Sequence, residues 1–262
     1  SAYNFQLSAR LLTDVMDSFR VHCVEGITPD AERMAYYRSA LRATYKEQTG
    51  AFSVETLNSK VQHASKEDII ELRAAYYALV EEMDQHIGQV YKAFQEYLDR
   101  TGKKGLFVYL SDHGDQIGFK ELYGKQTFFE KSAKIPMIFE GEGLSPRRVH
   151  ESVSIMDVGP TLCQWSGTIP FPDSDGKSFL PLLMGEKEPD RCAVGEFYDI
   201  LNSECYVVRM IHQNGKKLIF YGETPENDML FDTDTDPEEE KNLANQCPEL
   251  HRRLRILLMS SC

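Results

Sequence analysis

A short apolar run that leads straight into an acidic residue and a histidine constrains the fold of this chain most strongly. Leu106 to Leu110 are all apolar or aromatic, and Ser111-Asp112-His113-Gly114 follows without a break. Such a run, followed at once by polar residues and a glycine, is typical of a buried strand in an α/β sheet. Ligands bind these sheets in the crevice beyond the carboxyl ends of the strands. The sequence therefore places Asp112 and His113 where a binding site is expected.

The residue types at this position suggest a metal site. Aspartate and histidine are both common metal ligands, so Asp112 and His113 are the candidate ligands. Lys125 lies twelve residues after His113 and would favour an anionic substrate, which makes it the candidate catalytic residue. The alternative is a hydrogen-bonded structural pair and a solvated loop lysine. Taken alone, these three residues leave both interpretations open.

The segment before this strand has a strong helical pattern. Apolar residues recur every three or four positions from Ile69 to Leu98, which predicts one long amphipathic helix that Gly102 ends. A break near Gly88 is the alternative. Residues 7–19 and 32–46 also show helical spacing and predict two further helices.

The order of strands and helices predicts the fold class. We expect an α/β fold with a mostly parallel sheet flanked by helices, because strands and helices alternate up to about residue 183. Beyond it, short β-rich runs and Asn214-Gly215, a hairpin signal, predict a small antiparallel sheet plus a closing helix. The predicted domains are residues 1–190 and 191–262. The predicted elements are strands at 105–110, 135–139 and 153–155, a helix at 157–165, β-rich runs at 196–198, 206–211, 217–221 and 230–231, and a helix at 250–258.

Composition limits the classes of partner. A formal net charge of −12 argues against nucleic acid, because phosphate binding needs basic surface. No apolar run approaches the roughly 20 residues needed to span a bilayer, so no membrane partner is expected. The six cysteines form no Cys-x-x-Cys pair and predict reduced, buried thiols. A cytoplasmic location is therefore expected rather than a periplasmic or secreted one.

Longer stretches around the candidate site resemble the sulfatase family. Residues 108–115, Gly118 and residues 124–138 are similar to the strand end Ser-Asp-His/Asn-Gly-Asp and the Lys-x-x-x-(Phe/Tyr)-Glu block of that family. Three further blocks in the same order also resemble it, at residues 76–88, 154–183 and 230–244. The histidine and the spacing to Lys125 look like the branch of choline-sulfatases and phosphonate monoester hydrolases.

The resemblance implies an alkaline-phosphatase-like fold with its N-terminal half missing, and it implies roles for the three candidate residues. Asp112 and His113 would be two ligands of a divalent cation, usually Ca²⁺ and sometimes Mg²⁺ or Mn²⁺. Lys125 would pair with a sulfate oxygen and neutralise charge on the anion and on the leaving oxygen, which is electrostatic catalysis. A small sulfate ester would be the substrate.

Two features of the family are absent from the sequence. Its nucleophile is a formylglycine made from Cys or Ser in Cys/Ser-x-Pro-x-Arg, and none of the eleven prolines has that context. Its N-terminal Asp-Asp pair, which completes the metal shell, is also missing. Ca²⁺ takes six to eight oxygen ligands, so one aspartate and one histidine hold it poorly. We therefore expect the C-terminal portion of a sulfatase, inactive alone, with the formylglycine in a missing N-terminal portion.

Other functions remain open from the sequence. The same residues would serve a phosphonate or phosphodiester hydrolase of the same superfamily. A non-catalytic, truncated scaffold module is the alternative from another class. Because loss of neighbouring strands would expose a sheet edge and one side of the core, we also expect self-association into a homo-oligomer.

Overall fold

A computed structural model describes most of the chain beyond residue 65, namely residues 66–120, 122, 124–125, 127–169, 172–201, 204–221 and 225–260. The two helices predicted before residue 65 lie outside the described residues. The chain divides into two compact units. The first contains residues 1–107 and 115–125, and the second contains residues 108–114 and 126–262.

The first unit is built around a single long helix. Helix α1, Lys66–Thr101, runs for 36 residues and continues through Gly88 without a break. Gly102 ends it with a positive φ of 63°, and its N–H donates to the Leu98 carbonyl oxygen at 2.8 Å. The predicted helix and its glycine end are therefore confirmed. The first turns of α1 bury small and branched apolar side chains: Ile69, Leu72, Ala74, Ala75 and Ala78.

The last turns of α1 pack against the beginning of strand β1, Leu106–Leu110. The Phe107 ring lies 5.1 Å from the Tyr91 ring and 5.8 Å from the Phe94 ring, measured between centroids. Gly105 leads into the strand so closely beneath α1 that a Cβ there would lie 2.5 Å from Phe94 Cζ. A larger residue at this position would therefore have to displace the Phe94 and Leu98 side chains.

The second unit begins with the remainder of β1, which pairs with strand β2, Met137–Gly141, in a two-stranded sheet. β2 begins two residues later than predicted. The strand predicted at 153–155 is wrong: Ser154 and Asp157 form a reciprocal capping box around a 3-10 helix, Ile155–Asp157. Helix α2 (Glu130–Ala133) lies between β1 and β2 in the chain. Helices α3 (Val158–Ser166) and α4 (Leu180–Met184) come after β2.

A four-stranded antiparallel sheet and a closing helix complete the second unit, as predicted. The order is β3 (Ala193–Leu201), β4 (Glu204–Gln213), β5 (Lys216–Phe220), β6 (Met229–Asp232), followed by helix α5 (Pro248–Ser260). Asn214 and Gly215 join β4 to β5 with positive φ at both positions, 50° and 69°, the geometry that an Asn-Gly hairpin favours. α5 packs on the sheet through a fully apolar core: Ile211, Leu218, Phe220, Leu230, Leu254 and Leu258.

The mostly parallel sheet expected from the sequence is not seen in the described residues. Strands β3 to β6 follow one another through short connections, and neighbours joined in this way pair antiparallel. Among the described strands, helices occur only in the connection between β1 and β2 and in the connection that follows β2. Strands that pair in parallel need long connections of this kind. The domain boundary at residue 190 stays a prediction. Within the described part of the chain, no helix is both long and apolar enough to span a bilayer.

Candidate metal and anion site

The end of β1 brings the two candidate ligands side by side. Asp112 Oδ2 lies 3.4 Å from His113 Nε2, and Asp112 Oδ1 accepts the His113 backbone N–H at 2.9 Å. His113 Nδ1 lies 2.8 Å from the Gly114 carbonyl oxygen. A carbonyl oxygen can only accept, so Nδ1 donates this hydrogen bond, and in the neutral ring Nε2 is then the nitrogen without a proton. This is the tautomer that a metal-binding histidine adopts when a backbone carbonyl orients it.

The distance between the two donors suits a shared cation. Two ligands that each lie about 2.4 Å from Ca²⁺ and meet at a right angle are about 3.4 Å apart. The Asp112 side chain is 80% exposed and the His113 side chain 38% exposed. Among the described residues, no group of three or more His, Cys, Asp or Glu side chains is placed to hold a metal ion. The pair therefore fits as part of a larger set of ligands.

The backbone of residues 111–114, called here the tip of β1, is fixed by its neighbours in the second unit. Ser111 Oγ donates to the His113 carbonyl oxygen at 2.7 Å. The Gly114 N–H donates to the Ser132 carbonyl oxygen in α2, also at 2.7 Å. A Cβ on residue 114 would lie 2.0 Å from the Lys131 carbonyl oxygen, so only glycine allows this approach. The position of α2 therefore sets the position of the tip.

Lys125 belongs to the other unit, at the end of a tightly bonded loop. The Gln116 N–H donates to the Gly124 carbonyl oxygen at 2.8 Å, and the Gly118 N–H donates to the Leu122 carbonyl oxygen at 3.0 Å. Gln116 and Phe119 are buried beneath the loop, whereas Lys125 is exposed. Backbone hydrogen bonds therefore link the described residues of this segment. The role of Lys125 towards an anion stays a prediction.

Asp157, which lies in one of the segments that resemble the sulfatase family, has a structural role. The Asp157 carboxylate accepts the backbone N–H groups of Ser154 and Lys177, each at 2.8 Å. Arg191 Nη2 lies 2.9 Å from Asp157 Oδ2, and both side chains are buried. Arg191 also pairs with Glu188 at 2.9 Å. Asp157 therefore links the segments around Ser154, Lys177 and Arg191 in the second unit. It is not one of the three residues predicted to form the site.

The sequence analysis missed a second set of charged residues. Lys217, Glu130 and Glu239 form a buried cluster, called here the Lys217 ion cluster. Two signals in the sequence pointed to it. Lys217 is the second of two lysines directly before the apolar run Leu218 to Phe220, and Glu130 is the glutamate of the Lys-x-x-x-Phe-Glu block.

Comparison with known proteins assigns the family. The sequence profile described as Sulfatase matches residues 30–168, which is more than half of the chain. The chain belongs to the sulfatase family. A second profile, described as N-sulphoglucosamine sulphohydrolase, C-terminal, matches residues 118–259 and covers the antiparallel sheet with its closing helix. The family belongs to the alkaline phosphatase superfamily, so the resemblance found in the sequence is confirmed.

Individual relatives agree with the family assignment. The chain is 30% identical to a choline-sulfatase of Rhizobium meliloti, over 69% of this chain and 34% of the relative. It is also 30% identical to human (Homo sapiens) arylsulfatase K, over 71% of this chain and 36% of the relative. The structure of a phosphonate monoester hydrolase of Agrobacterium radiobacter matches with a TM-score of 0.63 at 22% identity, over 89% of this chain and 50% of the other. That match shows a common fold.

The chain therefore spans about a third of the length of these sulfatase relatives and half of that solved structure.

Proposed function

We propose that this chain is part of a metal-dependent sulfatase that hydrolyses a small sulfate ester. Asp112 and His113 would supply two of the ligands of a divalent cation, Ca²⁺ above all, with Mg²⁺ and Mn²⁺ as alternatives. The observation that carries the proposal is the 3.4 Å separation of Asp112 Oδ2 and His113 Nε2 at the end of β1, in a member of the sulfatase family. When bound, the cation would polarise the sulfate group as a Lewis acid.

The protein residues would prepare this site in two ways. The Gly114 carbonyl oxygen holds the proton of His113 on Nδ1, which leaves Nε2 available as a donor atom. Lys125 would contribute a fixed positive charge to a sulfate oxygen and to the leaving oxygen as negative charge develops there. The nucleophile, a formylglycine in this proposal, would come from polypeptide outside residues 1–262, and this chain alone would not turn over substrate.

The first test is turnover of 4-nitrophenyl sulfate by the whole protein, with and without a chelator. We expect chelation to abolish turnover and added Ca²⁺ to restore it. Asp112→Asn and His113→Ala should each lower kcat/KM by about 100-fold or more, because a metal supplies several kcal/mol of charge stabilisation. Lys125→Met should lower it by a similar factor.

Matched controls come from the same chain. Lys120→Met removes another lysine of the Lys125 loop, and Asp173→Asn removes an exposed carboxylate distant in sequence from the tip. Both should leave kcat/KM within about twofold of the parent, as expected for surface changes. Chelator-resistant turnover, or equal losses in the controls, would refute the assignment of these residues.

A phosphonate or phosphodiester hydrolase is the second candidate, and two observations favour it. The phosphonate monoester hydrolase shares this fold, and a multifunctional alkaline phosphatase superfamily protein of Trinickia caryophylli is 31% identical over 68% of this chain. Assay of a phenyl phosphonate monoester beside the aryl sulfate decides between the two by their kcat/KM ratio. Absence of turnover of either ester by the whole protein would favour a non-catalytic module.

A further inference from the structure

The Lys217 ion cluster is the most thoroughly buried set of charges in the described residues. Lys217 Nζ lies 2.7 Å from Glu130 Oε1 and 2.5 Å from Glu239 Oε1, and it donates to the Phe128 carbonyl oxygen at 2.9 Å. Lys217 and Glu239 are each only 1% exposed. Charges this deeply buried are costly unless they are paired, so this arrangement must do more than fill space.

The cluster fixes the beginning of α2. Glu239 Oε2 accepts the backbone N–H of Glu130, the first residue of α2, at 2.7 Å. Lys217 holds both the Glu130 side chain and the carbonyl oxygen of Phe128, just before the helix. A second ion pair, Lys131 Nζ to Glu238 Oε1 at 2.7 Å, is partly exposed and contributes little by comparison. β5 and the segment around Glu239 therefore hold α2 through buried charges.

α2 in turn holds the tip that carries the candidate metal ligands. The Ser132 carbonyl oxygen accepts the Gly114 N–H, and the Lys131 carbonyl oxygen lies where a side chain on residue 114 would be. The carbonyl oxygen of the same Gly114 orients the His113 ring through Nδ1. Only α2 and one glycine therefore separate the Lys217 ion cluster from the imidazole of His113.

We propose that Lys217 and Glu239 are positioning residues, which set the orientation of His113 and Asp112 through α2 and Gly114. This inference rests on the proposed function, because it assumes that the tip binds a cation. The competing account is that the cluster only stabilises the second unit. Both accounts predict a loss of stability on mutation, so the test must report on the tip itself.

The charge state of the cluster guides the choice of variants. Burial acts to raise the pKa of Glu130, but Lys217 and Lys134 together outweigh it, and the pKa lies below its usual value. Burial raises the pKa of Glu239, and Lys217 offsets this only in part. Lys217 therefore favours the charged form of both carboxyl groups. Glu239→Ala removes the acceptor for the Glu130 N–H, whereas Glu239→Gln retains an acceptor oxygen.

The decisive experiment is residue-resolved hydrogen exchange in the intact protein. In Lys217→Met and in Glu239→Ala, we expect the Gly114 amide to exchange about five- to tenfold faster, as the loss of one well-held hydrogen bond implies. The amide of Thr168, which donates to the Cys163 carbonyl oxygen at the end of α3, serves as the internal reference, because an amide at a helix end exchanges through local opening rather than global unfolding. It should change less than Gly114. Glu239→Gln should restore the Gly114 exchange rate to near that of the parent.

Matched controls are Lys216→Met and Glu238→Ala. Lys216 precedes Lys217 in β5 and forms a partly exposed ion pair with Asp232, and Glu238 precedes Glu239. Neither control should accelerate exchange at Gly114. Unchanged exchange at Gly114 in folded Lys217→Met and Glu239→Ala would overturn the proposal. Equal acceleration at Gly114 and Thr168 would also overturn it, because the cluster would then only stabilise the unit.

A functional readout separates this inference from the proposed function. In the whole protein, the Ca²⁺ concentration that gives half-maximal turnover should rise about 10- to 100-fold in Glu239→Ala, the usual effect of disturbing groups that orient a ligand. Turnover at saturating Ca²⁺ should stay near the parent value. If the parent shows no Ca²⁺-dependent turnover but Gly114 exchange responds as expected, the proposed function fails and the positioning role stands.

Discussion

The tip of β1 and the Lys217 ion cluster use similar chemical groups in opposite surroundings. At the tip, the Asp112 side chain is 80% exposed and faces an imidazole at 3.4 Å. In the cluster, Glu239 is 1% exposed, and its carboxylate contacts Lys217 and the Glu130 N–H. An exposed carboxylate keeps its charge at little cost, so it can serve a ligand. A buried carboxylate must be matched within the protein, so it serves the fold.

This difference leads to opposite expectations for mutations. Removal of a tip residue should change ligand binding and leave the fold almost unaffected. Removal of one cluster residue should destabilise the fold, because the remaining charges stay buried without their partner.

The largest effect should come from Lys217→Met. The change removes the cation that Glu239 contacts and leaves Glu130 only its ion pair with the exposed Lys134. We therefore expect the free energy of unfolding to fall by about 3–5 kcal/mol. Lys216→Met is the matched control and should cost at most about 1 kcal/mol, because its ion pair with Asp232 is partly exposed. Urea denaturation followed by circular dichroism measures both. Equal losses in the two variants would break the comparison.

Asp157→Asn tests whether the burial of a charged residue by itself determines how much stability is lost when its charge is removed. Asp157 is buried with Arg191, and it lies in a different part of the second unit from α2. We expect a loss of about 3 kcal/mol, because a buried charge loses its partner while Arg191 keeps Glu188. The exposed control Asp173→Asn should stay within about 0.5 kcal/mol of the parent. A loss for Asp157→Asn as small as that of the control would show that burial is not the deciding factor.

A smaller, pH-dependent effect is expected from His212 in β4. Burial lowers the pKa of His212; Glu130 and Asp234 oppose this, whereas Lys217 and Lys134 lower it further. The ring lies 2.7 Å from Ser152 Oγ and 2.9 Å from Thr233 Oγ1. A neutral ring can accept from one hydroxyl and donate to the other.

The sign of the effect follows from the lowered pKa. Below pH 6.5 the unfolded chain protonates this histidine before the folded protein does, so stability falls as the pH drops from there through the folded pKa. His212→Gln should reduce this slope in urea titrations between pH 7 and pH 5, and above pH 8 the difference between variant and parent should be constant. An unchanged slope would contradict the prediction.

The smallest effect on stability should come from Asp112→Asn. Asparagine retains an acceptor for the His113 N–H, and the site is exposed, so we expect a change within about 0.5 kcal/mol. The same variant should show the large loss of kcat/KM described for the whole protein. A stability loss above about 2 kcal/mol would mean that Asp112 serves the fold as Glu239 does.

Local patterns predicted much of the described secondary structure. Helix α1 was predicted because its apolar period persists from Ile69 to Leu98, and the β4–β5 turn because Asn-Gly adopts positive φ easily. The strand predicted at 153–155 was wrong, although the sequence held the contrary signal. Ser154 and Asp157 have the spacing of a capping box, which favours a helical turn over a short β-branched run.

The candidate site was predictable where its residues are adjacent in sequence. Asp112 and His113 follow one another at a strand end, so their proximity required no knowledge of the fold. The residues alone left Lys125 open between an anion-binding group and a solvated lysine, and only the family resemblance favoured the first, because the role of a loop lysine depends on what surrounds it. The mostly parallel sheet was inferred from the order of elements, and strand order along the chain does not specify which strands pair.

The sequence by itself determined the family, the long helix, the antiparallel C-terminal sheet and the pair of donor residues at the end of β1. These features depend on periodicity, turn chemistry and neighbouring residues. Only the tertiary structure decided that Lys217 is buried against Glu130, 87 residues away, and that Glu239 binds the Glu130 N–H across 109 residues. The physical reason is that burial and ion pairing depend on which distant segments pack together. A local sequence pattern does not specify this packing.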